Sequence, residues 1–429
     1  MKVAAAHKIV FVNRYFYPDL SATSQLLTDV ASALAEAGLD VHVVCSRQRH
    51  DDSSARLAPR DTANGVVVHR VWTSRFGRNN LLGRGVDYIT FYMSCGLALM
   101  GLLRRGDKVI AKTDPPLISI IAMWAAKWKG ASLINWLQDI FPEVASNLGA
   151  NPLPLVLDLL VRRCRDWSLR CACSNVVLGE RMRERLALMG IPADKLEIVE
   201  NWAQLDPEEP RMTRSSLLRW SLRLDGEFVV GYSGNLGRAH EFQTLIGAAQ
   251  ILQSDPAFVF LMIGAGVGMT QLKRAVSERG LTNFRFLPQQ PRESLGDSLA
   301  AADVHWVSLL PSLEGLVVPS KFYGILAAAR PVLFIGDPDG ELARVIGNAQ
   351  CGASISVGDV DGLVRVLREL KMDPSRVRRE GENAHKCYCQ RYSAQRALAA
   401  WQRIVGAEYR PLPEEIVKSH RWRAGDRSG

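Results

Sequence analysis

At 429 residues the chain is longer than one ordinary domain, and a make-up of 47% hydrophobic and 23% charged residues excludes a disordered or fibrous protein. The formal charge of +9 favours an anionic partner: nucleic acid, acidic lipid or a phosphorylated substrate. No paired Cys/His finger and no glycine-aromatic signature of a single-strand-binding sheet accompanies that charge, so nucleic acid is set aside.

The residues before Lys8 lack the apolar stretch of a secretory signal, which predicts a cytoplasmic chain. Residues 8–13 form a compact β-branched run, residues 24–37 a helix stopped by Gly38, and residues 41–45 a second strand. Further strand-like runs lie at 66–71, 108–112, 132–137 and 175–178, with helical segments between several of them. Such alternation calls for a parallel sheet covered on both faces, because parallel strands need crossover connections. Residues 88–103 are uncharged and too short for an ordinary membrane span, and Arg104 and Arg105 follow them. Residues 155–170 mix apolar positions with Arg162, Arg163, Arg165 and Arg170. Both segments read either as core helices or as interfacial helices on an anionic membrane, and core packing is the simpler reading. Were charge alone to hold the chain on a membrane, high salt would release it.

Residues 200–226 are polar, bear prolines and lack periodic apolar positions, which predicts a linker. Alternation restarts with strands at 228–232, 259–263, 284–287, 304–308 and 331–335, and helices at 244–253, 269–279, 293–301, 320–329 and 340–346. The expected layout is a Rossmann-like domain at 1–205, a second at 206–388, a helix at 389–409 packing back toward the first domain, and a basic, loosely ordered tail at 410–429. The eight scattered cysteines show no repeated Cys-x2-Cys spacing and read as buried thiols.

Two such sheets place a cleft between them, and their ligands gather at the carboxyl ends of the strands. The loop at 231–240 offers Gly234, Asn235 and Gly237, where backbone can approach a phosphate, with Arg238 as a charged fork and His240 as a second donor. Its bland reading is a glycine-rich turn with no ligand. A second glycine loop carries Gly264 and Gly266 but does not match Gly-x-Gly-x-x-Gly, which makes a nicotinamide dehydrogenase a weak alternative. Glu314, Gly315, Ser320 and Lys321 share one loop leading into a helix, a layout suited to a sugar-phosphate: the carboxylate accepts sugar hydroxyls, and the hydroxyl, N–H groups and ammonium meet a diphosphate. Asp139 and Glu143 follow a strand of the first domain, where they either orient or deprotonate an acceptor hydroxyl or cap the next helix. Asp114 reads as a turn residue, and Asp337-Pro-Asp339 and Asp359-Val-Asp361 as turns and caps, so no metal site is predicted.

The segment Glu314-Gly-Leu-Val-Val-Pro-Ser-Lys-Phe-Tyr-Gly324, with Ala329-Arg-Pro-Val332, resembles the donor-binding region of the retaining GT-B glycosyltransferases of family four, in the subgroup that makes exopolysaccharide, colanic acid, capsule and O-antigen units. The likeness runs over nearly the whole chain. Residues 17–25, with Tyr17, Thr23 and Ser24, resemble the first acceptor loop; Leu137-Gln-Asp-Ile-Phe-Pro-Glu143 is similar to the Gln-Asp-x-x-Pro-Glu loop; residues 199–202 resemble the interdomain strand; and residues 231–237 resemble the donor phosphate loop. The resemblance implies an α/β GT-B fold, a nucleoside-diphosphate-sugar donor, no obligatory cofactor or metal, and retention at the anomeric carbon. It also implies a glycan or polyprenyl-diphosphate-linked acceptor, and the Arg-rich 162–170 segment adds the expectation of peripheral contact with an anionic membrane on its cytoplasmic face. Two positions depart from the family. The second carboxylate of its Glu-x7-Glu pair, which holds the ribose, falls at Gly324, and the usual Arg and Lys of the phosphate loop fall near Asn235 and His240, leaving Arg238 and Lys321 to balance diphosphate charge. A nucleotide-sugar 2-epimerase of the same fold and a non-catalytic sugar-nucleotide-binding protein at the membrane stand as the alternatives.

Overall fold

The computed structural model describes residues 7–50, 52, 55–77, 81–150, 153–203 and 216–407, which form two compact α/β units. One takes the described residues up to Glu200 and those from Gln395 onward; the other is Asn201–Ala394. The chain divides at 200 and 394, against the 205 and 388 expected, and the expected tail at 410–429 lies outside the described residues.

In chain order the first unit runs β1 Ile9–Val12, α1 Ala22–Glu36, β2 Val41–Ser46, β3 Arg60–Ala63, β4 Val66–Val71, α2 Leu81–Leu102, β5 Lys108–Lys112, α3 Ile118–Lys129, β6 Ser132–Trp136, α4 Glu143–Asn147, α5 Leu155–Cys171, β7 Ser174–Val177, α6 Glu180–Leu188 and β8 Leu196–Ile198. The strands lie in the order β3-β4-β2-β1-β5-β6-β7-β8. Every pair is parallel except β3 and β4, an antiparallel hairpin closed by Asn64 and Gly65, both at positive φ as a tight two-residue turn requires. That hairpin was not expected, because β3 is almost wholly exposed and carries no apolar alternation.

Alternation along β1 sends Val10 and Val12 into a core with Phe91, Cys95 and Leu99 of α2 and Ala122 and Met123 of α3. Phe11 points the other way. There it meets Trp401 with ring centroids 6.3 Å apart, and Trp401 meets Trp136 at 4.5 Å. Trp401 belongs to the chain's last described helix, Ala394–Ile404, which is further tied to the first unit by the bond from Lys108 Nζ to the Val405 carbonyl at 2.6 Å.

The second unit runs α7 Leu217–Ser221, β9 Phe228–Asn235, α8 Gln243–Leu252, β10 Phe258–Ala265, α9 Val267–Glu278, β11 Phe284–Leu287, α10 Leu295–Ala300, β12 Val304–Ser308, α11 Lys321–Ala327, β13 Val332–Gly336, α12 Glu341–Ala349, β14 Gly352–Ser356, α13 Val360–Met372 and α14 Pro374–Cys387. Its six parallel strands are ordered β11-β10-β9-β12-β13-β14. The core of this sheet gathers Phe228, Val230, Phe260, Met262, Trp306 and Leu333.

The expected linker at 200–226 is corrected over its second half. Ser216 caps α7, Asp297 accepts from the N–H groups of Leu217 and Leu218, and Arg219 is fully buried against Asp303. Periodicity is unreadable in a five-residue helix whose key contact is a buried ion pair, so the sequence pattern looked loose where the structure is tight. Residues 204–215 lie outside the described residues.

Strand order reverses at β1/β5 in the first sheet and at β9/β12 in the second. Sheets of this kind take their ligands at the carboxyl ends of the strands beside such a reversal.

Candidate functional site

In the second unit the loop after β9 and the loop after β12 meet at the switch point. β9 runs on through Gly234 to Asn235, longer than its apolar run suggested, because β10 stays paired with it in register, Gly264 opposite Gly234 and Ala265 opposite Asn235. A Cβ on Gly264 would come 2.0 Å from the Gly234 carbonyl oxygen, and one on Gly266 2.4 Å from that of Leu236. Close approach of the two strand ends therefore requires glycine at both Gly264 and Gly266. Gly234, at φ +139°, leaves room for Lys321: a Cβ there would lie 2.6 Å from Lys321 Cε.

Lys321, the first residue of α11, is thus folded back over the end of β9, and burial pushes its pKa down. No carboxylate is among the groups that shift it. His240 lies near enough for the Lys321 charge to act on it. Its Nδ1 is 2.9 Å from the Ser308 carbonyl, which can only accept, so Nδ1 carries the proton. Burial first, and the Lys321 charge second, lower the His240 pKa to about 4. The imidazole is neutral at pH 7, and Nε2 is an acceptor. The Nδ1 proton is thus given to Ser308, and Nε2 is the ring nitrogen through which His240 could meet a phosphate. Gly237 is half-buried, whereas Asn235 and Arg238 are exposed on the same loop.

Glu314 and Gly315 sit after β12, with Gly315 at φ +72°. Glu314 Oε1 accepts from the Glu341 N–H at 2.8 Å, at the start of α12, and its carboxylate crowds Gly340, where a Cβ would come 2.5 Å from Oε2. Burial raises the Glu314 pKa in spite of that hydrogen bond. One oxygen is thereby engaged by the protein, which leaves fewer lone pairs for a sugar than a free carboxylate has. Ser320 is exposed at the residue before α11, with its hydroxyl unused in capping. Gly324 lies inside α11, and a Cβ there would meet only Leu299 at 3.7 Å.

In the first unit the loops after β1, β5 and β6 carry the polar groups. Arg14, directly after β1, is buried between the rings of Tyr15 and Tyr88, 3.8 Å from Asp87, and its N–H donates to the Asp114 carbonyl. Lys112 ends β5 only 1% exposed, with Nζ 3.6 Å over the Trp136 ring and donating to the Thr23 carbonyl at 3.0 Å. Ser24 is buried and donates to the Asp19 carbonyl, so its hydroxyl organises the loop instead of meeting an acceptor as expected. The Tyr17 carbonyl accepts from Arg70, and Thr23, in the first turn of α1, contributes its carbonyl to Lys112; both residues are half-buried.

Asp139 and Glu143 separate cleanly. Glu143 opens α4 and is chelated by Arg165 at 2.9 and 2.8 Å and by Arg162 at 2.7 Å. Burial opposes its charge, but those arginines hold its carboxyl below the usual range. The acceptor role expected for Glu143 is therefore corrected to a structural ion pair. Asp139 has no such cation. Burial raises its pKa to about 6 against a weak opposing bond from Thr113, and its Oδ1 is buried without a hydrogen-bond partner in the protein. Asp114, one strand over, is also raised to about 6, by burial and by the charges of Asp139 and Asp19, with Arg14 opposing. A cavity beside Asp139, lined by Thr113, Asn135 and Phe141, has room for a water.

An unfolded aspartate titrates near 3.9 and native Asp139 near 6, so between those values the native state keeps a proton that the unfolded chain has released. The contribution of Asp139 to stability is then greatest below pH 4 and is lost as pH rises through 6. Asp139→Asn is expected to raise stability by about 1–3 kcal/mol at pH 7.5 and by almost nothing at pH 4, read from denaturant melts. An equal change at both values would show that Asp139 is not a buried, ionising carboxyl.

Residues 23–202 match the model of the glycosyl transferase 4-like domain, and residues 216–387 match that of the glycosyl transferases group 1. Together the two models take in nearly all the described chain, in the order the two sheets demand. The chain belongs to the GT-B glycosyltransferases of family four. This glycosyltransferase is 27% identical over 299 residues to WbjE of Pseudomonas aeruginosa, covering 69% of this chain and 74% of that one. It is 27% identical over 384 residues to WcaI of Escherichia coli K12, covering 86% and 93%. Both carry a glycosyltransferase name, the second for colanic acid biosynthesis. Among solved structures it resembles Anabaena HepE in complex with UDP-glucose, at 16% identity and a TM-score of 0.67 over 93% of this chain and 99% of that one. WaaG, a glycosyltransferase involved in lipopolysaccharide biosynthesis, matches at 14% identity and a TM-score of 0.64, over 93% and 100%.

Arg14 and Lys112 are further candidate residues that the sequence reading does not single out. Both are cations at the carboxyl ends of apolar strands beside the strand-order reversal, and that placement is the signal that marks them.

Proposed function

We propose that the chain moves a sugar, with retention at the anomeric carbon, from a nucleoside-diphosphate-sugar to a glycan or polyprenyl-diphosphate-linked acceptor in polysaccharide assembly. The observation that carries this reading is Lys321: a half-buried ammonium with no carboxylate among the groups that shift it, folded over Gly234 at the β9/β12 switch point. A partly desolvated cation of this kind is suited to an anionic ligand, and a diphosphate supplies the charge. Lys321 and the exposed Arg238 stabilise the leaving nucleoside diphosphate as the glycosidic bond breaks, with Ser320, Gly315 and Gly237 offering hydroxyl and backbone donors. The free oxygen of Glu314 accepts from a sugar hydroxyl. Asp139 in the first unit, held close to neutral pH, orients or deprotonates the acceptor hydroxyl, with Tyr17 and Thr23 on the same side. A lipid-linked acceptor brings the reaction to the cytoplasmic face of an anionic membrane, where the exposed Arg163 and Arg170 of α5 make peripheral contact.

Because the HepE complex holds UDP-glucose, UDP-sugars are the first donors to try. A melt of the full chain with UDP, GDP, ADP, CMP and nicotinamide dinucleotides is expected to show one nucleoside diphosphate raising the midpoint by about 5 °C at a hundredfold excess over its dissociation constant. Transfer from the matching sugar nucleotide, with the product anomer read by NMR, then tests retention. No shift with any nucleoside diphosphate would overturn the donor site.

A further inference from the structure

The layer α2, α3 and α5 covers one side of the first sheet, and its outward surface is apolar. On α2 the residues facing the core are Phe91, Cys95 and Leu99. The opposite stripe, Val86, Ile89, Met93 and Leu97, recurs at helical spacing and is exposed, Met93 by 66% and Leu97 by 76%. On α3 Trp124 and Trp128 are exposed, Trp128 by 80%. On α5 Leu155, Val156, Leu159 and Leu160 are exposed, and Trp167 joins this helix to α3 through its ring contact with Trp124 at 5.1 Å. A monomer in water does not ordinarily leave so continuous an apolar surface open.

Charge says what covers it. Lys127, on the outward turn of α3, stands 4.6 Å over the Trp167 ring, and Arg163 and Arg170 are exposed along α5. The carboxylates of α5 are already matched: Asp158 with Arg162 at 2.6 Å and Asp166 with Arg165 at 2.7 Å. The surface is therefore apolar with indoles at its middle and cations beside them. Indoles prefer the boundary between acyl chains and headgroups, and cations prefer anionic headgroups.

We propose that the outward face of α2, α3 and α5 inserts into the interface of an anionic bilayer, as a monotopic anchor lying flat on one leaflet. By length and composition α2 could cross a membrane, with a mean hydropathy of 1.2. Its inner face, however, is packed with β-strand residues Val10, Val12 and Val109, and spanning would tear that core open. The inference concerns binding alone and stands whether or not the proposed reaction does. It also changes the expected salt response: charge alone predicts release in high salt, whereas buried indoles and aliphatic groups predict retention.

The test is cosedimentation of the full chain with vesicles of phosphatidylcholine containing 30% phosphatidylglycerol, at low salt and in 1 M NaCl. Binding is expected to persist in 1 M NaCl, with tryptophan emission quenched by brominated acyl chains. Trp128→Ser with Leu97→Gln is expected to lower partitioning at least tenfold in both salts while the circular dichroism and melting midpoint hold. Arg163→Gln with Arg170→Gln is expected to weaken binding only at low salt. Complete release in 1 M NaCl, or no bromolipid quenching of the unaltered chain, would overturn insertion. So would a concentration-dependent dimer, without vesicle binding, that Trp128→Ser dissociates, because a second copy would then be what covers the face.

Discussion

Lys321→Ala is expected to cut the rate of sugar transfer by about 100–1000-fold while leaving the melting midpoint of the free protein unchanged or higher. The two halves of that result come from one fact. Lys321 is half-buried, and desolvation alone accounts for the lowering of its pKa, so in the absence of an anionic ligand its charge opposes folding. Removing it relieves that cost, and also removes the charge that meets the departing diphosphate. The stabilisation by a nucleoside diphosphate should vanish in the same variant, and Lys321→Arg should restore part of it, since the charge returns on a bulkier fork that has to pass Gly234. Transfer that survives in Lys321→Ala would remove Lys321 from the donor site, and a lower midpoint would make it a packing residue.

Arg219→Ala is the largest expected loss of stability. The guanidinium is completely buried and donates to Asp303 Oδ2 at 3.1 Å, to the Ala301 carbonyl at 3.1 Å and to the Glu227 carbonyl at 2.6 Å. Asp303 Oδ2 also accepts from the Val229 N–H at 2.8 Å, so one carboxylate ties α7 to the starts of β9 and β12. Alanine would leave that carboxylate buried without its cation, which costs about 3–5 kcal/mol. The measurement is the denaturant midpoint of the transition that reports the second unit, followed with the nucleoside diphosphate as its probe. A loss below about 1 kcal/mol would return residues 216–226 to the status of a tether.

Both variants turn on side chains whose importance differs between the chain and the fold. Lys321 was singled out from its neighbours in sequence, Glu314, Gly315 and Ser320, because a loop bearing a carboxylate, a glycine, a hydroxyl and a cation is a local pattern. Arg219 was passed over inside a presumed linker, because its partner lies far along the chain and no local pattern announces a pair of that kind.

Read alone, the sequence determined what depends on neighbours along the chain. The alternation of strand and helix specifies two parallel sheets, since parallel strands need crossovers, and the glycines and the Glu314–Lys321 segment mark the loops at strand ends. Tertiary structure decided which of those residues are available for chemistry. Ser24 and one oxygen of Glu314 went to loop and helix ends, and Glu143 to two arginines, while Asp139 kept an unpartnered oxygen and a pKa near 6. It also decided that the apolar stretch ending near Leu102 packs by one face and exposes the other. The physical reason is common to all of these: burial and hydrogen-bond partnership are set by residues distant in sequence, and they fix the charge and reach of a side chain.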